Sequence, residues 1–450
     1  MAGEGTAHGS RPGWPRPGWP RTLLLAASIV LVVVATLLPA GIGRGSWIHW
    51  CVTCGLHWLA DAISNVVLFV PLGASLALCG FGAPPALLIG SGLSLAIELL
   101  QLVGIPPSRT PSLSDWLTNS AGTGLGAILI VRHALLLHPS RVVARRFLWA
   151  WTTISTTVLV GSGWMLSPFP YPVGPPVRVP SDAVTPSTLP FTPGFGWFAG
   201  LADSATVDDV AIPHVGTGPV IARVARADTI RAVVQVRGRD LRAGIVPIVY
   251  VHAPDVRVPA LLLGQQGSGA IVRSTLRARR LGLRAPDLFM PDVFSADARG
   301  ADDRVRLEAR VVPGQLSLTA REGDERTREQ HLRLSPALGW TLIQPVLRVD
   351  SPIAPLLTVA WLLAWLLPGG YWAARALDRA AGRPGRAVAG LAWGLIVVGA
   401  VLGAGAWIGS PQATALDVAV SLGAALLGSV VGNPHRPVHG ATRSSLGASA

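Results

Sequence analysis

Seven polar side chains interrupt otherwise apolar stretches near the front of the chain: Asp61 and Asn65, Glu98 and Gln101, Arg109, and Asp115 with Asn119. Each carboxylate is followed three or four residues later by an amide, so on a helix both members of each pair project from one face. Carboxylates and amides at one depth can orient hydrogen bonds to a bound polar group, and a neighbouring guanidinium can take an anion through two parallel bonds. The same carboxylates, Asp61, Glu98 and Asp115, also suit acid-base chemistry. Glu98 weighs most, because a charge inside a membrane helix costs about 2.5 to 3.5 kcal/mol on insertion scales. Asp61 and Asp115, by contrast, also suit the first turn of a helix, where Ser112 or Ser114 would act as a cap before Asp115.

The elements that hold these residues are membrane helices. Of the 450 residues, 50% are hydrophobic and 14% charged, and the mean hydropathy is +0.48. Apolar runs long enough to span a bilayer fall at about 22–40, 62–80, 83–104, 115–131, 147–167, 352–374, 387–409 and 413–432. The expectation is eight transmembrane helices, the first a retained anchor and not a cleaved signal peptide. The net charge of +13 is carried by arginine, with no lysine in the chain. Arg11, Arg16 and Arg21, the joint from Arg132 to Arg146, the cluster Arg375 to Arg386, and Arg436 with Arg443 all fall on one side of an eight-span topology. That side is the cytoplasm, which holds both termini and leaves the long segment between the fifth and sixth spans outside. The charge follows membrane-flanking segments without a helix-turn-helix or an aromatic RNA motif, so nucleic acid is not an expected partner.

The long segment opens with a Pro-rich linker, 168–190, and from 191 to 350 changes to short alternating runs such as IRAVVQV, VRLEARVV and QLSLTARE between turn residues. This pattern predicts an antiparallel β-sandwich of eight to twelve strands. The expected organisation is therefore a tail at 1–21, a five-helix domain at 22–167, the linker, the sandwich, three closing helices at 351–434 and a tail at 435–450.

Taken in order, DAISNVVLFVPLG from Asp61, ELLQ from Glu98, Arg109, and DWLTNSAGTGLG from Asp115 resemble the VanZ-like family of bacterial membrane proteins over about residues 22–167. The resemblance implies a cell-envelope role and a link to glycopeptide resistance of the teicoplanin type. The stretches LLLGQQGSGAIVRSTLRARRLGLRAPDLFMPDVF and VRLEARVVPGQLSLTAREG are similar to a concanavalin A-like or laminin-G-like sandwich, which implies glycan binding.

The remaining motifs have plainer readings. Cys51 and Cys54 lie beside His49 and His57, a set that can hold zinc or a redox pair, but outside a membrane a local disulfide is the preferred expectation and no metal is assigned. Cys79 reads as a packing residue. Asp203, Asp208 and Asp209 read as surface carboxylates without a calcium-binding pattern, and Trp47, Trp50, Trp58 and Trp116 read as interfacial anchors. DVAVSLGAALLG from Asp417 faintly echoes DWLTNSAGTGLG from Asp115.

The expected protein is thus a multi-pass helical protein of the bacterial plasma membrane with an inserted extracytoplasmic β-sandwich and no cofactor. Its expected partners are membrane lipids and an envelope glycan or lipid-linked precursor. The expected site residues are Asp61, Asn65, Glu98, Gln101, Arg109, Asp115 and Asn119, serving recognition of a head group or glycan at the outer face. Two alternatives stay open, a membrane-embedded enzyme acting through Asp61, Glu98 and Asp115, and a structural or adhesive scaffold.

Overall fold

The computed structural model describes residues 19–37, 50–53, 55–106, 109–169, 201–211, 220–223, 230–237, 244–252, 261–294, 304–322, 326–344, 348–377 and 382–432. Cys54, Trp47, His49, Arg436, Arg443 and most of the Pro-rich linker lie outside them. The helices are α1 (Trp19–Leu37), α2 (Trp58–Leu78), α3 (Ala83–Leu102), α4 (Leu113–Val131), α5 (His133–Leu137) and α6 (Arg141–Met165). After them come α7 (Arg277–Arg280), α8 (Ala354–Ala376), α9 (Gly382–Trp407) and α10 (Ala415–Val431). Five of these, α1, α2, α3, α8 and α9, are long and apolar enough to cross a membrane, and α10 is a shorter apolar helix. Helices also stand at the other two expected positions, where α4 carries Asp115, Thr118, Asn119, Ser120 and Thr123, and α6 opens with Arg141, Arg145 and Arg146.

The chain divides into two compact units. The first holds residues 1–138 with 275–286 and 341–347. Its core is built from Val32 of α1, Phe69, Leu72 and Leu76 of α2, Ile97 of α3 and Ala127 of α4. Small residues set how closely these helices approach: a Cβ on Gly126 of α4 would run into the Val70 carbonyl of α2, and one on Gly73 of α2 into the Thr123 carbonyl of α4. Backbones that close gain dispersion contacts over their whole length, which is the means of association open to helices in lipid. Buried hydroxyls join α1 to α2, with Ser28 Oγ and Ser75 Oγ 2.8 Å apart.

The second unit holds 139–274, 287–340 and 348–450, and so includes α6 and α8 to α10. Its helices share a core of Leu159, Leu362, Leu366, Trp393, Val397 and Ala425. Trp151 Nε1 donates to the Trp365 carbonyl at 2.7 Å and Trp393 Nε1 to Thr152 Oγ1 at 2.7 Å.

The β region of this unit forms two sheets. One orders β11 (Arg326–Arg333), β10 (Gln315–Glu322), β9 (Arg304–Val312), β4 (Ile230–Arg237), β1 (Leu201–Val207) and β2 (Val210–Ala211). The other orders β3 (Val220–Arg223), β5 (Ile245–His252), β6 (Leu261–Gln266), β7 (Gly269–Ser274) and β8 (Leu288–Met290). Strand β9 shows the expected alternation, with Val305, Leu307, Ala309 and Val311 buried and Arg304, Arg306 and Arg310 exposed. The expectation of antiparallel pairing throughout needs one correction, since β3 pairs with β5 in parallel. Strand β3 joins the edge of its sheet through a crossover that no local pattern records. The carboxylates expected at the surface are tied to arginines: Asp209 holds the Arg231 side chain at 2.8 Å, Asp208 Oδ1 accepts the Arg231 N–H at 2.9 Å and Asp203 lies 3.3 Å from Arg304, while Glu308 also holds Arg231 at 2.8 Å.

Candidate functional site

Asp115 is the third residue of α4, and the local sequence explains its place. Ser112 caps the helix, its Oγ accepting the Asp115 N–H at 3.4 Å. Of the two serines expected to cap, it is Ser112 that does so. The Ser112 N–H in turn donates to Glu98 Oε2 at 2.8 Å, which ties the middle of one helix to the start of the next. Glu98 is 2% exposed.

Around Asp115 the expected residues converge. Its carboxylate takes a hydrogen bond from the Asn65 side chain of α2, and it is close enough to Asp61 and to Glu98 to repel both. Asn119, one turn along α4, donates through Nδ2 to Ser94 Oγ of α3 at 2.9 Å, while its Oδ1 is buried without a partner. Trp116 donates to the Ser91 carbonyl at 3.2 Å. Asp61, Asn65, Glu98, Asp115 and Asn119, from three helices, therefore form one connected polar cluster.

Gln101 and Arg109 stand at its margin, against α1. Gln101 Nε2 donates to the Thr36 carbonyl at 3.5 Å and Arg109 Nη2 to the Ala35 carbonyl at 2.9 Å. Both acceptors lie in the last turn of α1, where carbonyls lack helical partners and the dipole favours a cation. From there the Arg109 charge still acts on Glu98 and Asp115.

Sequence reasoning missed the contribution of Thr275–Pro286, a segment between β7 and β8 that belongs to the first unit. Arg284 Nη2 lies 2.8 Å from Asp61 Oδ1. The Gly282 carbonyl accepts the N–H groups of Leu59 and Ala60, both at 3.1 Å, and so satisfies the opening turn of α2 that no side chain caps. His57 Nδ1 and the Leu283 carbonyl are 3.1 Å apart. Gly282 has φ +71°, and a Cβ there would strike the Trp58 indole, so glycine is required both by conformation and by space. Ser64 Oγ donates to the Ile343 carbonyl at 2.8 Å, and Arg284 N to the Leu342 carbonyl at 2.9 Å. Burial first, then the charge of Arg284, hold the His57 imidazole below its ordinary value. The signal that could have been read is the run of basic residues Arg277, Arg279, Arg280 and Arg284, unusual within a region of strands.

The residues ahead of α2 add a further tie. The backbone at Cys51 and Val52 pairs with Pro111 to Ser114, with the Leu113 N–H on the Cys51 carbonyl and the Ser114 N–H on the Val52 carbonyl, both at 3.1 Å. Cys51 is disulfide-bonded and Cys79 is free.

Three carboxylates, three amides and two arginines in this arrangement offer hydrogen-bond acceptors and donors together with fixed positive charge. That is chemistry suited to holding a polar head group. Among the described residues no group of His, Cys, Asp and Glu is placed to hold a metal ion.

Residues 25–137 match the VanZ/LLP1 family. No curated protein and no solved structure matches the chain. The matched stretch contains α2, α3 and α4 entire, with Asp61, Asn65, Glu98, Gln101, Arg109, Asp115 and Asn119. Residues 25–137 are thus a VanZ-like segment of a membrane protein.

Proposed function

We propose that the chain is a cell-envelope protein of the bacterial plasma membrane that recognises the polar head group of an envelope lipid or lipid-linked precursor at the outer face. The observation that carries this reading is the meeting of Asp61, Glu98 and Asp115, from three separate helices, around Asn65 with arginine charge at the edge. Isolated polar groups in lipid would each lose their hydration without compensation, whereas a cluster shares donors and acceptors and keeps them available to a ligand. Arg109 supplies the charge for an anionic group, and the carboxylates and amides orient its hydroxyls or amines.

On this reading the eight helices α1 to α4, α6 and α8 to α10 each cross the bilayer once, both ends lie in the cytoplasm, and the β region lies outside. The arginine clusters support that orientation. The two β sheets act as a lectin-like sandwich that contacts glycan. A contribution to glycopeptide resistance follows if the bound lipid is a cell-wall precursor.

The test is mass spectrometry of lipids that co-purify in mild detergent with the full chain and with Arg109→Ala and Asp115→Asn variants. The expected result is loss of one polar lipid class from both variants. Identical lipid profiles in all three proteins overturn the reading.

A further inference from the structure

The helices of the second unit repeat the internal plan of α1 to α4, residue against residue. In α4 the buried face is Asn119, Gly122, Thr123, Gly126 and Ala127. In α10 it is Ser421, Ala424, Ala425, Gly428 and Ser429, in identical spacing. Both helices start with a hydroxyl cap and an aspartate at the third position, Ser112 with Asp115 and Thr414 with Asp417. The correspondence extends to the partner helices. Gly126 abuts the Val70 carbonyl, which precedes Pro71 inside α2; Gly428 abuts the Leu367 carbonyl, which precedes Pro368 inside α8. Gly73, two residues after the first proline, abuts the Thr123 carbonyl, and Gly370, two residues after the second, abuts that of Ala425. Phe69 and Leu366, the matching residues before these carbonyls, are both 0% exposed. The third helix follows suit, with Gly90 of α3 against the Thr123 side chain and Gly394 of α9 against the Ala425 Cβ.

Glycine-rich helices resemble one another easily in sequence. Agreement in which carbonyl meets which glycine, beside a proline in the same register, is a much stricter condition, and it holds at two points between each pair of helices.

The register then states what became of the polar site in the second bundle. Asp61 corresponds to Thr358, Asn65 to Leu362, Ser94 to Val398, Glu98 to Leu402 and Asn119 to Ser421, while Asp115 keeps its carboxylate as Asp417. Even the donor from outside the bundle has a counterpart. Asp61 takes the Arg284 guanidinium at 2.8 Å, and Thr358 Oγ1 takes Trp340 Nε1 at 3.0 Å, a neutral bond in place of an ion pair. Around Asp417 and Ser421 lies a cavity of about 20 Å³, walled otherwise by apolar residues that include Leu159, Leu362, Val398 and Val401. Asp417 is 9% exposed, and its Oδ2 accepts the Thr414 N–H at 2.9 Å. A space of that size with two polar groups on its wall takes about one water-sized molecule or group.

We propose that α6 with α8 to α10 is a second copy of the α1 to α4 bundle, and that its cavity at Asp417 is a second site, stripped of the head-group residues and fitted to one neutral hydroxyl. That hydroxyl belongs either to a buried water or to the end of a membrane alcohol, and in both cases it donates to Asp417. The inference does not require the first bundle to bind a head group, because it rests on the register shared by the two bundles and on the cavity beside Asp417.

Leu362→Asn tests it in the full chain. Asparagine keeps the branching of leucine, and in a true copy its amide finds Asp417 as Asn65 finds Asp115. The expected thermal midpoint, read by tryptophan fluorescence in detergent, stays within about 2 °C of wild type, while the same substitution in an Asp417→Ala background lowers it by several times as much. A full loss in the wild-type background, equal to that beside Asp417→Ala, overturns the proposal. Farnesol added to the micelles separates the two sources: a rise in midpoint that Asp417→Asn abolishes assigns the site to a membrane alcohol, and no rise, with Leu362→Asn tolerated, assigns it to water.

Discussion

Arg284 lies 223 residues beyond Asp61 in the chain, yet its Nη2 rests 2.8 Å from the Asp61 carboxylate. The pair adds to the polar cluster a second guanidinium, besides that of Arg109, from a residue outside the VanZ-like segment. Both side chains keep some solvent contact, Asp61 being 43% exposed, so screening limits what the bond contributes. A double-mutant cycle with Asp61→Asn and Arg284→Gln should give a coupling of about 0.2–1 kcal/mol. A coupling near zero would show that the Gly282 carbonyl and the His57 bond hold the segment without help from charge.

His57 provides a pH handle on the same contact. Its folded-state value is depressed from 6.5 by burial first and then by Arg284, so the folded protein takes up this proton at a lower pH than the unfolded chain does. The unfolded chain binds the extra proton as pH falls below about 6.5, which draws the equilibrium toward unfolding. Stability is therefore complete above that value, declines as pH drops toward the folded value, and levels off beneath it. His57→Gln should remove this part of the pH dependence, read as the difference in thermal midpoint between variant and wild type from pH 7.5 to 5. Parallel curves for the two proteins would assign the acid sensitivity to another group.

Much of the first bundle was legible because helix period is a short-range property. Asp61 with Asn65 and Asp115 with Asn119 share faces by spacing alone, and the faces meet as expected. Arg284 was not legible, since nothing local in a basic turn between two strands tells which helix it will reach. Arg109 shows a different limit: its acceptor is the backbone carbonyl of Ala35, and every residue carries a carbonyl. The parallel pairing of β3 with β5 is likewise a matter of chain path, which alternation cannot report. The echo of Asp115 in Asp417 was faint as sequence because small apolar residues substitute freely. It became specific once the partner carbonyls were known.

Two glycines two residues apart on α4, and so on different faces of the helix, separate packing from propensity. Gly124 faces only Leu87 Cδ1, at an ordinary 3.5 Å, whereas a Cβ on Gly126 would strike the Val70 backbone. Gly124→Ala should leave stability unchanged or raise it by up to about 1 kcal/mol through reduced chain entropy. Gly126→Ala should force α2 and α4 apart at a cost of about 1–3 kcal/mol. Thermal unfolding of the purified full chain checks both, and equal effects would mean that the close approach of the two helices does not depend on the missing Cβ.

Glu98 allows structural and functional roles to be told apart, because its one described bond can be kept while its charge is removed. Glu98→Gln presents a carbonyl oxygen to the Ser112 N–H, so the link from α3 to the start of α4 survives. Glu98→Leu leaves that N–H buried without an acceptor, at a cost of about 1–3 kcal/mol. The glutamine variant should therefore fold with a midpoint close to wild type and the leucine variant should not. What the glutamine variant then does decides between the readings of the site. If the carboxylate receives a head group, the co-purified polar lipid falls away although the bundle is intact. A full complement of lipid in a well-folded Glu98→Gln protein would instead make Glu98 a fastener between two helices, leaving Asp61 and Asp115 to carry any recognition.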